Sequence, residues 1–386
     1  MQHFDLIIVG GGLAGASLAV ALRNSRLRIA LVESRPPQRP DGWDARVYAI
    51  SPANAEFLDG IGVWKHLDSG RVAPISAMQV RGDAGGALEF SAFQTGVPNL
   101  GSIMESSLIA CELWENLKRQ SNLQLFVGRP LALEFRHQAA HLTLDDGQAL
   151  SASLLVGADG RDSWVREAAG LTAINSHYGE KGVVANFACA KPHRNIAWQW
   201  FRDDGVLAWL PLPGNRISIV WSTPDAAADA LCALPATEFC QQVADAGGNV
   251  LGTLELITAP QAFPLRLMRV PEIVAPRLAL VGDAGHGIHP LSGHGINLGF
   301  QDARELAERL LASRPWEDIG QLRFLQAYQR ARREEILLLQ STTDGLRRLF
   351  ASPSPVLRPL RNIGLGLTDR LPVAKSFLVR YALGAI

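Results

Sequence analysis

Residues 5–25 read DLIIVGGGLAGASLAVALRNS. Asp5 to Val9 is a short apolar run of strand character, and an amphipathic-to-apolar helical stretch starts right after the glycines, so the segment reads strand, tight loop, helix. The glycines fall as G-x-G-x-x-G at Gly10, Gly12 and Gly15. In that spacing the first permits the turn, the second lets a pyrophosphate approach the backbone, and the third lets the helix pack on the strand. Leu13 and Ala14 complete the loop. A second apolar strand, residues 28–32, ends in Glu33 followed by Ser34 and Arg35, close to the ~20 residues downstream at which a carboxylate accepts from an adenosine ribose hydroxyl. An acid there favours FAD or NAD over a ligand carrying a 2′-phosphate.

A second glycine-rich stretch lies far down the chain. Residues 282–302 read GDAGHGIHPLSGHGINLGFQD, preceded by the apolar run at 278–281 and continuing into an amphipathic helix. Strand, loop and helix recur, with Gly282, Asp283, Gly293, Gly295, Ile296 and Asn297 at the turn. The first amides of that helix and its positive dipole end suit an anionic ring edge. Between the two stretches, LLVGADGRDSWVR (154–166) runs from a buried strand into a turn, where Asp159 can accept hydrogen bonds and Ser163 can cap the short helix that follows. The chain has one dinucleotide fingerprint and no C-x-x-C pair, which argues against a disulfide-reductase plan and leaves any pyridine nucleotide to dock transiently elsewhere.

The bulk composition narrows the classes further. At 386 residues there is room for one large domain or two interleaved ones. With 37 basic and 37 acidic side chains, nothing points to a nucleic-acid partner. Four scattered cysteines suggest neither a disulfide framework nor a zinc site and fit a reducing cytoplasm. The N-terminus has no signal-peptide pattern, and no apolar run is long enough to span a membrane. His286, His289 and His294 are irregularly spaced without a completing carboxylate or thiolate, so no metal site is expected.

Taken together, VGGGLAG with Glu33, VGADGRDSWVR, and VGDAGHGIHPLSGHGINLGFQDA resemble the group A flavoprotein monooxygenases, which use a single dinucleotide-binding domain. ARVYAIS, IAWQWFRDDGVLAWLPLPGNRISIVWS and the tail segment LRNIGLGLTDRLPVAKSFLVRYALG are similar to the ubiquinone-biosynthesis ring hydroxylases in particular, and the likeness covers nearly the whole chain. It departs at Gly285, His294 and Ser107, where alanine, glutamine and asparagine are usual. The resemblance implies FAD as cofactor, NAD(P)H as transient reductant, and transfer of one oxygen of dioxygen, through a C4a-hydroperoxyflavin, to the ring of a prenylated phenol or quinol. It implies that Gly10, Gly12, Gly15 and Glu33 hold the adenosine diphosphate. Arg46 would contact the flavin side, Asp159 would lie near the cofactor, and Asp283 would bind the ribityl or pyrophosphate region. Gly295, Ile296 and Asn297 would present amides to the pyrimidine edge, where reduced flavin gathers negative charge. Hydroxylation or epoxidation of another aromatic or polyene stays open, as does a non-catalytic flavin-binding role in a biosynthetic assembly.

The expected architecture is α/β: a Rossmann-like FAD-binding domain at 1–74, 100–180 and 272–350, an antiparallel β-sheet substrate domain at 75–99 and 181–271, and a helical tail at 351–386. Residues 183–222 alternate in strand fashion, with tryptophans at 198, 200, 209 and 221. They read either as an aromatic wall over the flavin, with Trp209 and Pro211 nearest the substrate, or as filling between sheet and helix. Arg46 is equally open to a solvated strand-edge position. The tail carries Arg358, Arg361, Arg370, Lys375 and Arg380 against Asp369, interleaved with leucines. It suits an anionic membrane surface on the cytoplasmic side, a partner in an assembly, or a fold-back onto the cofactor domain; homo-oligomerisation is left open.

Overall fold

The computed structural model describes residues 1–136, 138–289, 293, 295–352 and 354–370. Its first sheet is built on the strand Gln2–Val9, in which Leu6, Ile7, Ile8 and Val9 are all buried. An uninterrupted apolar run of this kind suits a parallel strand covered on both faces. That strand lies between the parallel neighbours Ala149–Gly157 and Ile29–Glu33; Leu123–Val127 and Leu278–Leu280 extend the parallel set outward on either side. The antiparallel strands Pro130–Arg136 and Ala139–Leu144 fold onto the start of Ala149–Gly157.

Two helices close one face of this sheet at its carboxyl end. Leu13–Ala21 is apolar nearly all round, because it is wedged between the sheet and the helix Gly295–Ala312. Small residues permit the contact: a side-chain carbon added at Gly282 or Gly299 would lie 3.1 Å or 3.4 Å from Ala14 Cβ. A three-stranded sheet, Val47–Ile50, Ser102–Glu105 and Ala73–Pro74, adjoins the start of Gly295–Ala312.

The second sheet has nine strands among the described residues, ordered His286–Gly287, Gln261–Arg269, Ile174–Cys189, Arg216–Pro224, Gly205–Leu212, Ile196–Arg202, Ala77–Arg81 and Ala87–Ser91, with Leu254–Leu256 also on Ile174–Cys189. It begins upstream of the expected boundary at 181 and takes a short strand from the distal glycine region. The reason is that Ile174–Cys189 pairs with Gln261–Arg269 on both sides of a bulge between His177 and Lys181, so the strand runs through the boundary.

The helices Asp225–Ala233 and Ala236–Ala246 cover one face of this sheet. Val183, Ala185, Phe187, Trp198, Leu207, Trp209, Ile217, Ile219 and Trp221 point into that core. The side-chain period of two therefore decides between the two readings of the tryptophans. Trp198, Trp200, Trp209 and Trp221 all fill the sheet–helix core, on the side away from the cofactor half. Trp209 is fully buried, and Pro211, opposite Ile217, shares its face, so neither lines a substrate wall.

A 30-residue helix, Leu322–Ala351, joins the two halves. Tyr328 donates to the Leu280 carbonyl of the first sheet at 2.9 Å, and Gln340 to the Met268 carbonyl of the second at 2.8 Å. Beyond it, Leu357–Arg370 docks on the hairpin at 77–91, with Arg361 on Asp83 and Asn362 on the amides of Ala84 and Gly86. The charged side of this helix faces inward, leaving Leu360, Ile363 and Leu367 exposed. It rests on the second sheet, not on the cofactor domain.

Candidate functional site

The loop after Gln2–Val9 is shaped by contacts that exclude side chains. A carbon added at Gly10, whose φ is +104°, would meet the Ala158 carbonyl oxygen at 2.3 Å, and one at Gly15 would lie 2.0 Å from the Gly10 oxygen. Gly12 is different. It is exposed, nothing lies within 4 Å of an added carbon, and the helix it opens has no side-chain cap. The first-turn amides of Leu13–Ala21 are thus open to an anion, and the residues present fit a dinucleotide pyrophosphate.

Glu33 ends its strand beside this loop. Its carboxylate accepts from the Gly11 amide at 2.7 Å and the Arg35 amide at 2.8 Å, with exposed Ser34 at 3.5 Å. Gly11 is itself pinned by Trp114, whose indole donates to the Gly11 carbonyl at 2.8 Å. Trp114 carried no mark in the sequence beyond its place on an apolar helix.

Asp159 works locally. It accepts from the Ser163 hydroxyl and from the Val165 amide at 2.9 Å, and Ser163 caps the helix Trp164–Ala168 through the Arg166 amide. Burial pushes the Asp159 carboxyl up, against the pull of those bonds. What it brings to the glycine loop is backbone, since Asp159 N and the Ala158 carbonyl are what a side chain at Gly10 would strike. Buried Arg166 ties the same segment to the distal turn, donating to the Ala284 carbonyl at 3.0 Å and the Arg161 carbonyl at 3.1 Å.

The distal turn is a single 3-10 turn, Gly282–Ala284, with Gly282 at φ +60°. Half-buried Asp283 faces Arg161 at 3.7 Å. The turn is held from behind by Asp302, which accepts from the Gly282 amide at 2.9 Å, faces His286 Nε2 at 2.6 Å and accepts from Arg332 Nε at 2.7 Å. Burial alone would raise the Asp302 carboxyl, but the charges and hydrogen bonds of His286 and Arg332 hold it below the usual range. His286 is therefore a loop-fixing group. His289 lies by Glu180; His294 is outside the described residues.

Asn297 acts through two channels. Its side chain braces the neighbourhood, with Oδ1 accepting from the Ser51 amide and Asn54 Nδ2, both at 2.9 Å, and Nδ2 donating to the carbonyls of Ala49 at 2.7 Å and Gly293 at 3.3 Å. Its side chain being so engaged, what the first turn of Gly295–Ala312 offers a ligand here is backbone, together with half-buried Ile296 and Gly295. Arg46 is exposed, its amide held by Asp44 at 2.9 Å. Between the two halves stands Tyr48, within electrostatic reach of both Arg46 and Asp283, its phenol pushed up chiefly by burial. Ala14 lies against both Gly282 and Gly299, so the loop that opens at Gly12 and the turn that carries Asp283 meet, with Asn297 bracing the segment at Ala49 and Ser51.

The family model described as FAD binding domain matches residues 3–336. Ubiquinone hydroxylase of Rhodospirillum rubrum is 35% identical over 99% of this chain and 90% of its own length. The 3-demethoxyubiquinol 3-hydroxylase of Escherichia coli is 32% identical over 99% of both chains. Among solved structures, p-nitrophenol 4-monooxygenase from Pseudomonas putida superposes with a TM-score of 0.81 at 18% identity, covering 98% of this chain and 97% of that one. At that identity the likeness is one of fold.

Proposed function

The chain belongs to the FAD-binding domain family and is an FAD-dependent monooxygenase; from that premise we propose that it hydroxylates the aromatic ring of a prenylated precursor of ubiquinone, with NAD(P)H and dioxygen as co-substrates. The observation that supports the reading is the packing of Ala14, in the first turn of one helix, against Gly282 and against Gly299 of the other, which suits a pyrophosphate at the first turn of the one and an anionic ring edge at the first turn of the other. FAD held at these residues would supply the redox chemistry, by which NAD(P)H reduces dioxygen and one oxygen atom enters the ring while the other leaves as water.

The chain's own residues bind, orient and keep dry. The open first-turn amides at Gly12 take the pyrophosphate, Glu33 accepts from the ribose, and Asp283 with Arg161 orders the segment between them. The first turn of Gly295–Ala312 sets a positive dipole end where charge collects on the pyrimidine ring. Opposite it, the second sheet presents Val184, Ala208, Leu210 and Val220, the side of its pleat not taken by tryptophan. Such an aliphatic surface accepts a prenylated ring and excludes water.

The exposed row Leu360, Ile363 and Leu367 on the tail helix supports peripheral docking on a lipid surface, where a polyisoprenoid substrate resides. No helix among the described residues is long and apolar enough to cross a membrane.

The deciding experiment incubates the purified yellow protein with a short-chain prenylated phenol, NADH or NADPH, and labelled dioxygen. Phenol-dependent oxidation of the nicotinamide with one labelled oxygen in the product is expected; nicotinamide oxidation indifferent to every phenol tested, with no oxygenated product, would overturn the reading.

A further inference from the structure

The face of the second sheet turned toward the cofactor half includes one row with unmet polar atoms. In the strand Ile174–Cys189, Val183, Ala185 and Phe187 point into the tryptophan core, so Asn186 points the other way. Its Nδ2 donates to the Asp44 carbonyl at 2.8 Å, which fixes that direction toward the loop before Arg46. Ser218 stands opposite Asn186 in antiparallel register, and Leu210 stands opposite Ser218. Both polar side chains are 0% exposed, yet Asn186 Oδ1 and Ser218 Oγ have no hydrogen-bond partner.

Buried polar atoms are almost always partnered, so two facing each other across one ladder position mark a place that a ligand atom completes. The indole N–H groups of Trp209 and Trp221 also lack partners, but they lie on the other face and share no row with this pair. The row lies on the cofactor side: Leu210 packs against the same apolar cluster as Val47 and Ala49, and the Ala49 carbonyl is the one held by Asn297.

Resting on the ring-hydroxylase reading above, we propose that Asn186 and Ser218 form a subsite for a free hydroxyl group on the substrate's aromatic ring. A phenolic hydroxyl both donates and accepts. Asn186 Oδ1 accepts and the Ser218 hydroxyl donates, so one ring hydroxyl satisfies both atoms at once. A methyl ether at the same position accepts only and leaves Asn186 Oδ1 unmet, so the pair selects the free hydroxyl over its ether. Val184, Ala208 and Val220 flank the row and hold the hydrocarbon.

The test uses the FAD-loaded protein, a prenylated phenol and its O-methyl ether, with binding read from perturbation of the flavin absorbance so that no turnover is needed. The wild type binds the phenol more tightly than the ether. Ser218→Ala weakens the phenol about tenfold, one hydrogen bond to a buried group, and leaves the ether nearly unchanged. Flavin content stays the same, and the melting temperature without ligand holds or rises because an unmet hydroxyl has been removed. Equal binding of phenol and ether by the wild type, or an unchanged preference in Ser218→Ala, overturns the subsite. Neither result touches the monooxygenase reading, which stands or falls on the oxygenated product.

Discussion

Asp302 Oδ2 accepts the amide of Gly282 at 2.9 Å and faces His286 Nε2 at 2.6 Å, so a fully buried carboxylate on the distal helix is the anchor of the turn that carries Asp283. Asp302→Asn takes from buried Arg332 its fully buried counter-charge, leaving it only the more exposed Glu335, and removing one partner of a buried pair costs about 3–5 kcal/mol. Because the folded carboxyl lies below its ordinary value, its contribution is complete above that ordinary value and is lost as pH falls through the depressed one. Thermal melts of both proteins against pH are expected to differ most near neutrality and to converge in acid. Equal melts at pH 7 would refute the anchor.

Gly12 and Gly15 respond differently to the same added methyl group. At Gly15 the carbon meets the Gly10 oxygen at 2.0 Å, so Gly15→Ala lowers the melting temperature of the flavin-free protein. At Gly12 it meets nothing within 4 Å, so Gly12→Ala melts like wild type without flavin and binds FAD at least ~10-fold more weakly, where the methyl occupies the anion's place. Titration of FAD into both apoproteins checks this.

Trp209→Phe separates packing from recognition. The ring lies in the sheet–helix core against Trp198 and Trp200, and its loss is expected to destabilise the fold by about 1–3 kcal/mol. KM for the phenol stays unchanged. A shifted KM with an unchanged melting temperature would return Trp209 to the substrate wall.

Acid loosens the tail. Arg361 holds the Asp83 carboxyl down at about 2 from 3.8, so the contact stabilises above 3.8 and fades as pH falls through about 2. The difference in melting temperature between wild type and Asp83→Asn is expected to be full above that range and to vanish below it. A difference that persists in acid would mean the ion pair is not what docks the helix.

Ile363→Glu places a charge in the middle of the exposed apolar row, at a position 63% open to solvent. Surface substitutions of this kind change stability by no more than ~0.5 kcal/mol. Co-sedimentation with vesicles of anionic phospholipid is expected to drop while the melting temperature holds; undiminished co-sedimentation removes this face as the lipid contact.

The parts legible beforehand are those governed by local backbone chemistry. Gly10, Gly12, Gly15, Gly282 and the acid at Glu33 sit where tight turns and strand ends demand them, and such demands are written in short spacings. Facing was harder. The tryptophans share one parity across three strands, but which parity meets helices depends on Asp225–Ala233 and Ala236–Ala246 lying on that side, a tertiary choice that spacing alone does not state. Trp114 reaches the first glycine turn from a helix distant in sequence, while Arg166 and Asp302 lie inside the segments 154–166 and 282–302 but hold the distal turn through bonds that no spacing states. Their roles come from register and packing. The tail was legible as amphipathic, but its orientation, charges inward and leucines outward, followed from Asp83, a residue of the distant hairpin.

The pleat of the second sheet has a consequence for how such a molecule can change over generations. One parity of its residues packs the tryptophan core, while the other is divided between small cores at Phe201, Val206, Ala197 and Leu212 and the patch of Val184, Ala208 and Val220. On the function proposed above, drift confined to that patch would retune the accepted ring without disturbing the tryptophan layer behind it, which gives a duplicated copy a short mutational route to a new aromatic compound.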